Sequence, residues 1–352
     1  MTAPHYNRTE DEKTVHFNKQ FFAEQVRKLC DPALEHFDKI IKSYAFFTIL
    51  FITGIIAELF TTILLIASLS QSSVLAITLA ILFLTVFSYC ILRIYFQAKK
   101  PEQFLALRNQ YIQACKDLID YQEGIPEHHL ALAHATSKLA GALHKKQYGY
   151  YKPPHWMASL APALETFSCW WHWNDVHDMR ELLWSASIKE HIKVIKVEPT
   201  NLEVHAALAN AYVMLSGLYI DPRKVDGYEE EHWIPLQSLS NDMNKKFRDT
   251  AQKAIEEFKI LNDYAPNDSW IHAQLAYSYH DLQMPEEEIH EYEAILHITP
   301  DDKETLLKLG MLYFQQGMNA KGLQAYEELR RKDYKRAEQL IKFYGASSLY
   351  YE

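Results

Sequence analysis

Two textures alternate along the chain. From Tyr44 to Leu69 there are 26 residues with one charge, Glu58, and from Val74 to Leu92 there are 19 with none. Elsewhere apolar residues recur every three or four positions, the period of helices that bury one face. A hydrocarbon core takes about 20 residues at helical rise, so each apolar run is long enough to cross it. A cleavable signal peptide starts nearer the terminus and ends in small residues, so the two runs read as an anchor. Only Ser70, Gln71, Ser72 and Ser73 lie between them, which makes a tight hairpin. Lys39 and Lys42 flank the first run and Arg93, Lys99 and Lys100 the second, while the turn has no charge. By the positive-inside tendency both chain ends are expected on the cytoplasmic side of an integral, two-span protein. Glu58 invites a proton-relay reading. Two helices cannot enclose a pathway, so the favoured reading is a hydrogen bond to Ser or Thr of the neighbouring helix, or a place in a homo-oligomer interface.

Ahead of the hairpin, residues 13–42 carry Phe17, Phe21, Phe22, Val26, Leu29, Leu34, Phe37 and Ile41 at helical spacing. This segment is expected to pack on the soluble part or to lie on the membrane surface, with a kink or break at Pro32. After Pro101 the helical period returns and does not stop. The expected division is 1–43 amphipathic segment, 44–96 transmembrane hairpin and 101–352 helical-repeat domain, all-α throughout.

Within 269–334 one size pattern is written twice, 34 residues apart. Leu275, Ala276, Tyr279, Tyr292, Ile295 and Pro300 are followed by Leu309, Gly310, Tyr313, Tyr326, Leu329 and Tyr334. A small residue beside a Leu, three before a Tyr, lets two helix backbones approach while the ring fills the gap one turn on. The pattern resembles the tetratricopeptide repeat (TPR), with its L-G-x-x-Y core, helix-B Ala/Phe pair and closing Pro. His272 and Leu306 stand where that family has Trp, and Glu288 and Gly322 where it has the helix-B Ala. Working back, Pro266, Pro199 and Pro126 occupy closing positions. Ala254, Phe258 and Leu261 precede the first of these, and Leu208, Ala209 and Tyr212 follow the second. The resemblance implies an α-solenoid: a leading helix near 102–122, repeats near 129–201, 202–268, 269–302 and 303–334, and a capping helix at 335–345.

The first two repeats are too long, with inserts at 146–177 and 218–245. The first is aromatic (Tyr148, Tyr150, Tyr151, Trp156, Phe167, Trp170, Trp171, Trp173), and the second carries the acidic run 226–231. Long segments of this kind are functional or partly folded in their own right. The aromatics suit either a partner or membrane patch, or a satellite core.

Charge and chemistry then narrow the function. Residues 1–100 hold ten Lys/Arg and eight Asp/Glu, and 101–352 hold 26 and 37, so the soluble part is acidic and nucleic acid is not expected as a partner. Cys30, Cys90, Cys115 and Cys169 are scattered without C-x-x-C spacing, which suits a reducing compartment. Seventeen histidines contain no H-E-x-x-H. The densest group, His172, Asp175, His177 and Asp178, reads as surface or capping rather than metal-binding. His128 and His129, just after Pro126, read as ordinary helix-start residues. No G-x-S-x-G, Walker or Rossmann pattern is present, so no enzyme activity and no cofactor are expected.

The resemblance implies a ligand groove lined by helix-A positions. These are Glu203, Ala206, Asn210, Val213 and Met214, then Trp270, Ala273, Tyr277, His280 and Asp281, then Glu304, Leu307, Met311, Phe314 and Gln315. Asn210, Met214, Trp270, Tyr277, His280, Met311 and Phe314 are the expected contacts for a protein or peptide with apolar anchors and basic flanks. Of the carboxylate-clamp residues of chaperone-binding members, Asn210 alone fits, with Lys308 nearby. The expected function is a membrane-anchored TPR scaffold or adaptor. Two alternatives stand beside it. The bilobed hairpin resembles that of chlamydial inclusion-membrane proteins, secreted by a type III system and inserted into a host vacuole. The other is an enzyme whose site joins the two inserts, with His172, Asp175, His177 and Glu230.

Overall fold

The computed structural model describes residues 19–69, 73–153, 155–221 and 235–348. Among these there are eleven α-helices and no strand, so the all-α expectation holds. The chain forms two compact units that divide between Leu139 and Ala140.

The first unit is built on α1 (Lys19–Leu69) and α2 (Ser73–Leu118), followed by α3 (Pro126–Ala142). At 1.5 Å per residue α1 and α2 are roughly 70–75 Å long, more than twice a hydrocarbon core. They pack antiparallel in one register: Glu58 meets Thr85, Phe47 meets Phe96, Phe37 meets Phe104 and Cys30 meets Tyr111. Along this register the hairpin turns inside out. From Phe46 to Leu64 and from Val74 to Tyr95 most of the large apolar side chains face outward, with Phe47, Phe51 and Tyr89 half-buried between the helices. Below that level they face inward, with Phe22, Val26, Phe37 and Ile41 of α1 and Phe104, Leu107 and Tyr111 of α2 all buried. Both helices are therefore long and apolar enough to cross a membrane. The lower half is an amphipathic pair of the kind the spacing in 13–42 predicts.

Pro32, where a kink or break is expected, lies inside α1, and the helix is not broken there. It lies on the exposed face, while Cys30, Ala33 and Phe37 around it stay buried and carry the helix past the lost bond. Pro101 is likewise inside α2, so the segment expected as a separate leading helix is the lower end of that helix. The Glu58 expectation is met within the hairpin: the Thr85 hydroxyl donates to its Oε1 at 3.0 Å. His128 and His129 tie down the turn before α3, through Gln122 N–H to His128 Nδ1 at 3.1 Å and His129 Nε2 to the Glu123 carbonyl at 2.8 Å.

The second unit contains α4 (Ala161–Val197), α5 (Leu202–Ser216), α6 (Asn241–Tyr264), α7 (Ser269–Asp281), α8 (Pro285–Ile298), α9 (Lys303–Gln315), α10 (Asn319–Lys332) and α11 (Tyr334–Ser348). Each helix from α4 onward packs on the next, and α9 also touches α11. The corners repeat. After α4, α6 and α8 comes one residue bonded back into the helix, then Pro199, Pro266 or Pro300, and then Asn201, Asp268 or Asp302 as the N-cap of the following helix. Proline ends one helix, and a side-chain oxygen satisfies the first free amides of the next.

The turns inside the last two pairs repeat as well. Gln283 (φ 59°) and Gly317 (φ 70°), 34 positions apart, both adopt the left-handed conformation. Met284 N–H to the Tyr279 carbonyl (2.9 Å) is matched by Met318 N–H to the Tyr313 carbonyl (2.8 Å). The trio Leu275, Ala276 and Tyr279 is buried, as is Leu309, Gly310 and Tyr313. Burial of each large side chain contributes about 2 kcal/mol. At Gly310 a Cβ would stand 2.6 Å from the Leu340 side chain of α11 and 3.3 Å from the Ala325 Cβ of α10, so the small residue makes room for neighbouring side chains.

Most of the first insert is not a loop. Its second half is the start of α4, where Ser168, Cys169, His172, Asp175, Val176 and Met179 are buried at helical spacing. A helix whose inward face is polar hides its period from an apolar count. In the second insert residues 222–234, with the acidic run and Glu230, lie outside the described residues.

Candidate functional site

Helix α7 starts where Asp268 accepts the Trp270 amide at 2.9 Å, and α9 where Asp302 accepts the amides of Glu304 and Thr305. Burial works against the Asp302 charge, but those amides and the Thr305 hydroxyl hold its carboxyl below the usual carboxylate range. Once Leu275, Ala276 and Tyr279 face the core, the 3.6-residue period leaves Trp270, Ala273 and Tyr277 on the opposite side. These three, with Glu304 and Lys308 of α9 and the corner 299–302, line an open cleft of about 750 Å³. Trp270 is 43% exposed and Tyr277 47%, which for rings of this size leaves a broad apolar face to water. The Lys308 ammonium stands 5.2 Å over the Tyr277 ring, donates to its hydroxyl at 3.3 Å and pairs with Glu304 at 3.1 Å. Burial opposes its charge, yet these partners hold its pKa above the ordinary lysine value. The cleft thus offers two ring faces with a small residue between them and a rim of Asp301, Glu304 and Lys308.

The other expected contacts scatter. Asn210 and Met214 are exposed on α5, outside this cleft. His280 is exposed but bonded to Glu288 at 3.0 Å, across the turn to α8. Met311 is half-buried against the α9–α11 core. Phe314 is not displayed: it is 4% exposed, pressed on Tyr344 of α11 (ring centroids 4.4 Å) and so close to α10 that a Cβ at Gly322 would stand 2.5 Å from it. The last helix fills the groove at that position, as a cap must if the terminal pair is to bury its own apolar face.

The insert histidines do not meet at one point. Tyr150 and Tyr151 pack on His172, with the Tyr151 hydroxyl 3.0 Å from Nε2, and its Nδ1 is 3.9 Å from Asp175, too long for a hydrogen bond. His177 stacks on Trp173 at 4.7 Å, and its Nδ1 lies 3.5 Å from Asp178 and 4.0 Å from Glu181. The ligand atoms of this trio lie within 4.8 Å of one another, but Lys246 already brings its ammonium to 3.4 Å from Glu181. Part of the aromatic insert is a satellite core around His172, while Phe167 and Trp170 remain exposed. The side chain of Trp156 lies outside the described residues. Burial raises the thiols of Cys30, Cys115 (to about 12) and Cys169 (to about 11), which keeps them protonated and poor nucleophiles.

Sequence reasoning missed a pair of buried histidine clamps. His205 Nε2 meets the Pro199 carbonyl at 3.0 Å and Nδ1 meets Glu257 at 2.6 Å. His272 does the same with the Pro266 carbonyl at 3.0 Å and Glu291 at 2.6 Å. Each ring faces an acceptor on both nitrogens, an arrangement that favours the protonated imidazole, in which both donate. Burial opposes this, but the carboxylate and the carbonyl raise both pKa values above the histidine norm. In the last repeat the equivalent positions are Leu306 and Ala325, both buried. The signal was available: His six residues after each of two corner prolines, with Glu at one spacing in helix B. No protein-family model matches the chain, and a search of the curated proteins likewise found no match.

Proposed function

We propose that the protein is a two-span membrane protein holding a TPR-like helical-repeat domain on the cytoplasmic side. In this reading it acts as an adaptor that binds a peptide segment of a protein partner in the α7–α9 cleft. The observation that carries the reading is the display of Trp270 and Tyr277 across Ala273. Aromatic anchors left half in water beside a small residue favour an inserted side chain, because closing the gap removes ring area from solvent without distorting the helices. On the rim Asp301 pairs with Lys332 and Glu304 with Lys308, both at 3.1 Å, largely exposed and weak pairs with which a basic residue next to the apolar anchor can exchange. The anchor would confine the cleft to the membrane plane and so raise the effective concentration of what it recruits.

Tyr277→Ala tests this on the full chain in its native membrane. Capture of the partner by pull-down is expected to fall roughly tenfold, the loss of an interface hot spot, with an unchanged melting temperature. Equal capture by the variant would remove the cleft from the reading.

A further inference from the structure

The foot of the hairpin carries charge where the apolar surface stops. Counting about 20 residues of hydrocarbon from Val74 reaches Arg93 on α2. Its guanidinium lies 5.9 Å over the Tyr89 ring, its neighbours Ile91, Leu92, Ile94 and Tyr95 are exposed, and no carboxylate among the described residues pairs with it. Lys99 and Lys100 follow about 10 Å lower at helical rise. Lys100 stands 5.0 Å over the Tyr44 ring of α1, and Tyr44 donates to Gln103, so exposed Lys42 shares that level, with Lys39 one turn beyond. The headgroup layer on one side of a bilayer is about 5–7 Å deep. The cations therefore form two tiers that bracket it, Arg93 at the hydrocarbon edge and Lys42, Lys99 and Lys100 at the water edge. The facing acids are few. Glu102 reaches Lys99 at 3.7 Å with both side chains largely in water, where such a pair is weak, and Asp38 lies a turn below.

From this geometry we propose that the collar Lys42, Arg93, Lys99 and Lys100 binds anionic phospholipid headgroups. The proposal rests on α1 and α2 spanning a bilayer. A zwitterionic headgroup brings its own cation and gains little from four more. A headgroup with net negative charge places its phosphate against Arg93, which can grip two oxygens, and its remaining charge against the lysine tier.

The test uses the full chain in phosphatidylcholine bilayers with spin-labelled phosphatidylserine or phosphatidylcholine, comparing the fraction of each held at the protein by electron paramagnetic resonance. Phosphatidylserine is expected to associate roughly fivefold more strongly. The preference should shrink at about 1 M salt, where the Debye length is short, and vanish in Lys42→Gln/Arg93→Gln/Lys99→Gln/Lys100→Gln. Equal association in the unaltered protein, or a preference that survives all four substitutions, would overturn the proposal. Flotation with neutral vesicles after alkaline extraction separates the premise. Failure to incorporate removes the spans and the collar with them, whereas incorporation without lipid preference removes the collar alone.

Discussion

At the scale of residues, the histidine clamps make the sharpest claims. His272 is buried with a carboxylate on one nitrogen and a carbonyl on the other, so removing Glu291 alone leaves one ring nitrogen buried without its acceptor. Glu291→Ala is expected to cost about 2 kcal/mol, because a buried polar atom that loses its partner is the expensive outcome. His272→Leu/Glu291→Ala should cost less than that single change, since the chain already builds the same corner with Leu306 and Ala325. Thermal melts of both variants check the inequality, and a double variant weaker than the single would refute it. The clamp also fixes a pH sign. A folded pKa raised above the unfolded value gives stability that is complete below the unfolded histidine value and is lost as pH rises through the raised one. The stability gap between the unaltered protein and the double variant should therefore be widest in mild acid and narrow toward alkaline pH.

At the scale of elements, the turn between paired helices needs one left-handed residue, supplied once by Gly317 and once by Gln283. Gly317→Ala is expected to destabilise the full chain by about 1 kcal/mol, as a Cβ is disfavoured at that φ and nothing within 4 Å offers compensation. A melting temperature at or above that of the unaltered protein would contradict this. The helices themselves were legible because apolar spacing, corner prolines and the small-residue trio are local signals. The start of α4 was not, because its inward face is Ser168, His172 and Asp175, which an apolar count reads as surface. Pro32 misled for the opposite reason: its local penalty is real, but tertiary burial on either side outweighs it. In the cleft, Trp270 and Tyr277 could be placed from period alone. The burial of Phe314 could not, since it depends on where α11 returns, and a returning helix leaves no mark at residue 314.

At the scale of the whole molecule, the reversal of apolar side chains from inward to outward along one helix pair is the feature that favours a bilayer around its upper half. Covering Phe46, Leu50, Phe60, Phe83 and Leu84 with lipid instead of water is worth about 2 kcal/mol for each. The sequence made the apolar runs plain, whereas the height at which the surface changes needed the register between α1 and α2. If the hairpin crosses, its turn and its two chain ends are on opposite sides. Cys30, Cys115 and Cys169 are buried, and Cys90 is the exposed cysteine among the described residues, so Cys90→Ser gives a background quiet to an impermeant maleimide. Ser72→Cys on that background should label from the extracytoplasmic face of sealed membranes, while tags at both termini should be cleaved by protease from the cytoplasmic face. Labelling of position 72 from the same side as the tags would mean that the helices lie along one surface. In that case the collar residues could not mark a crossing level.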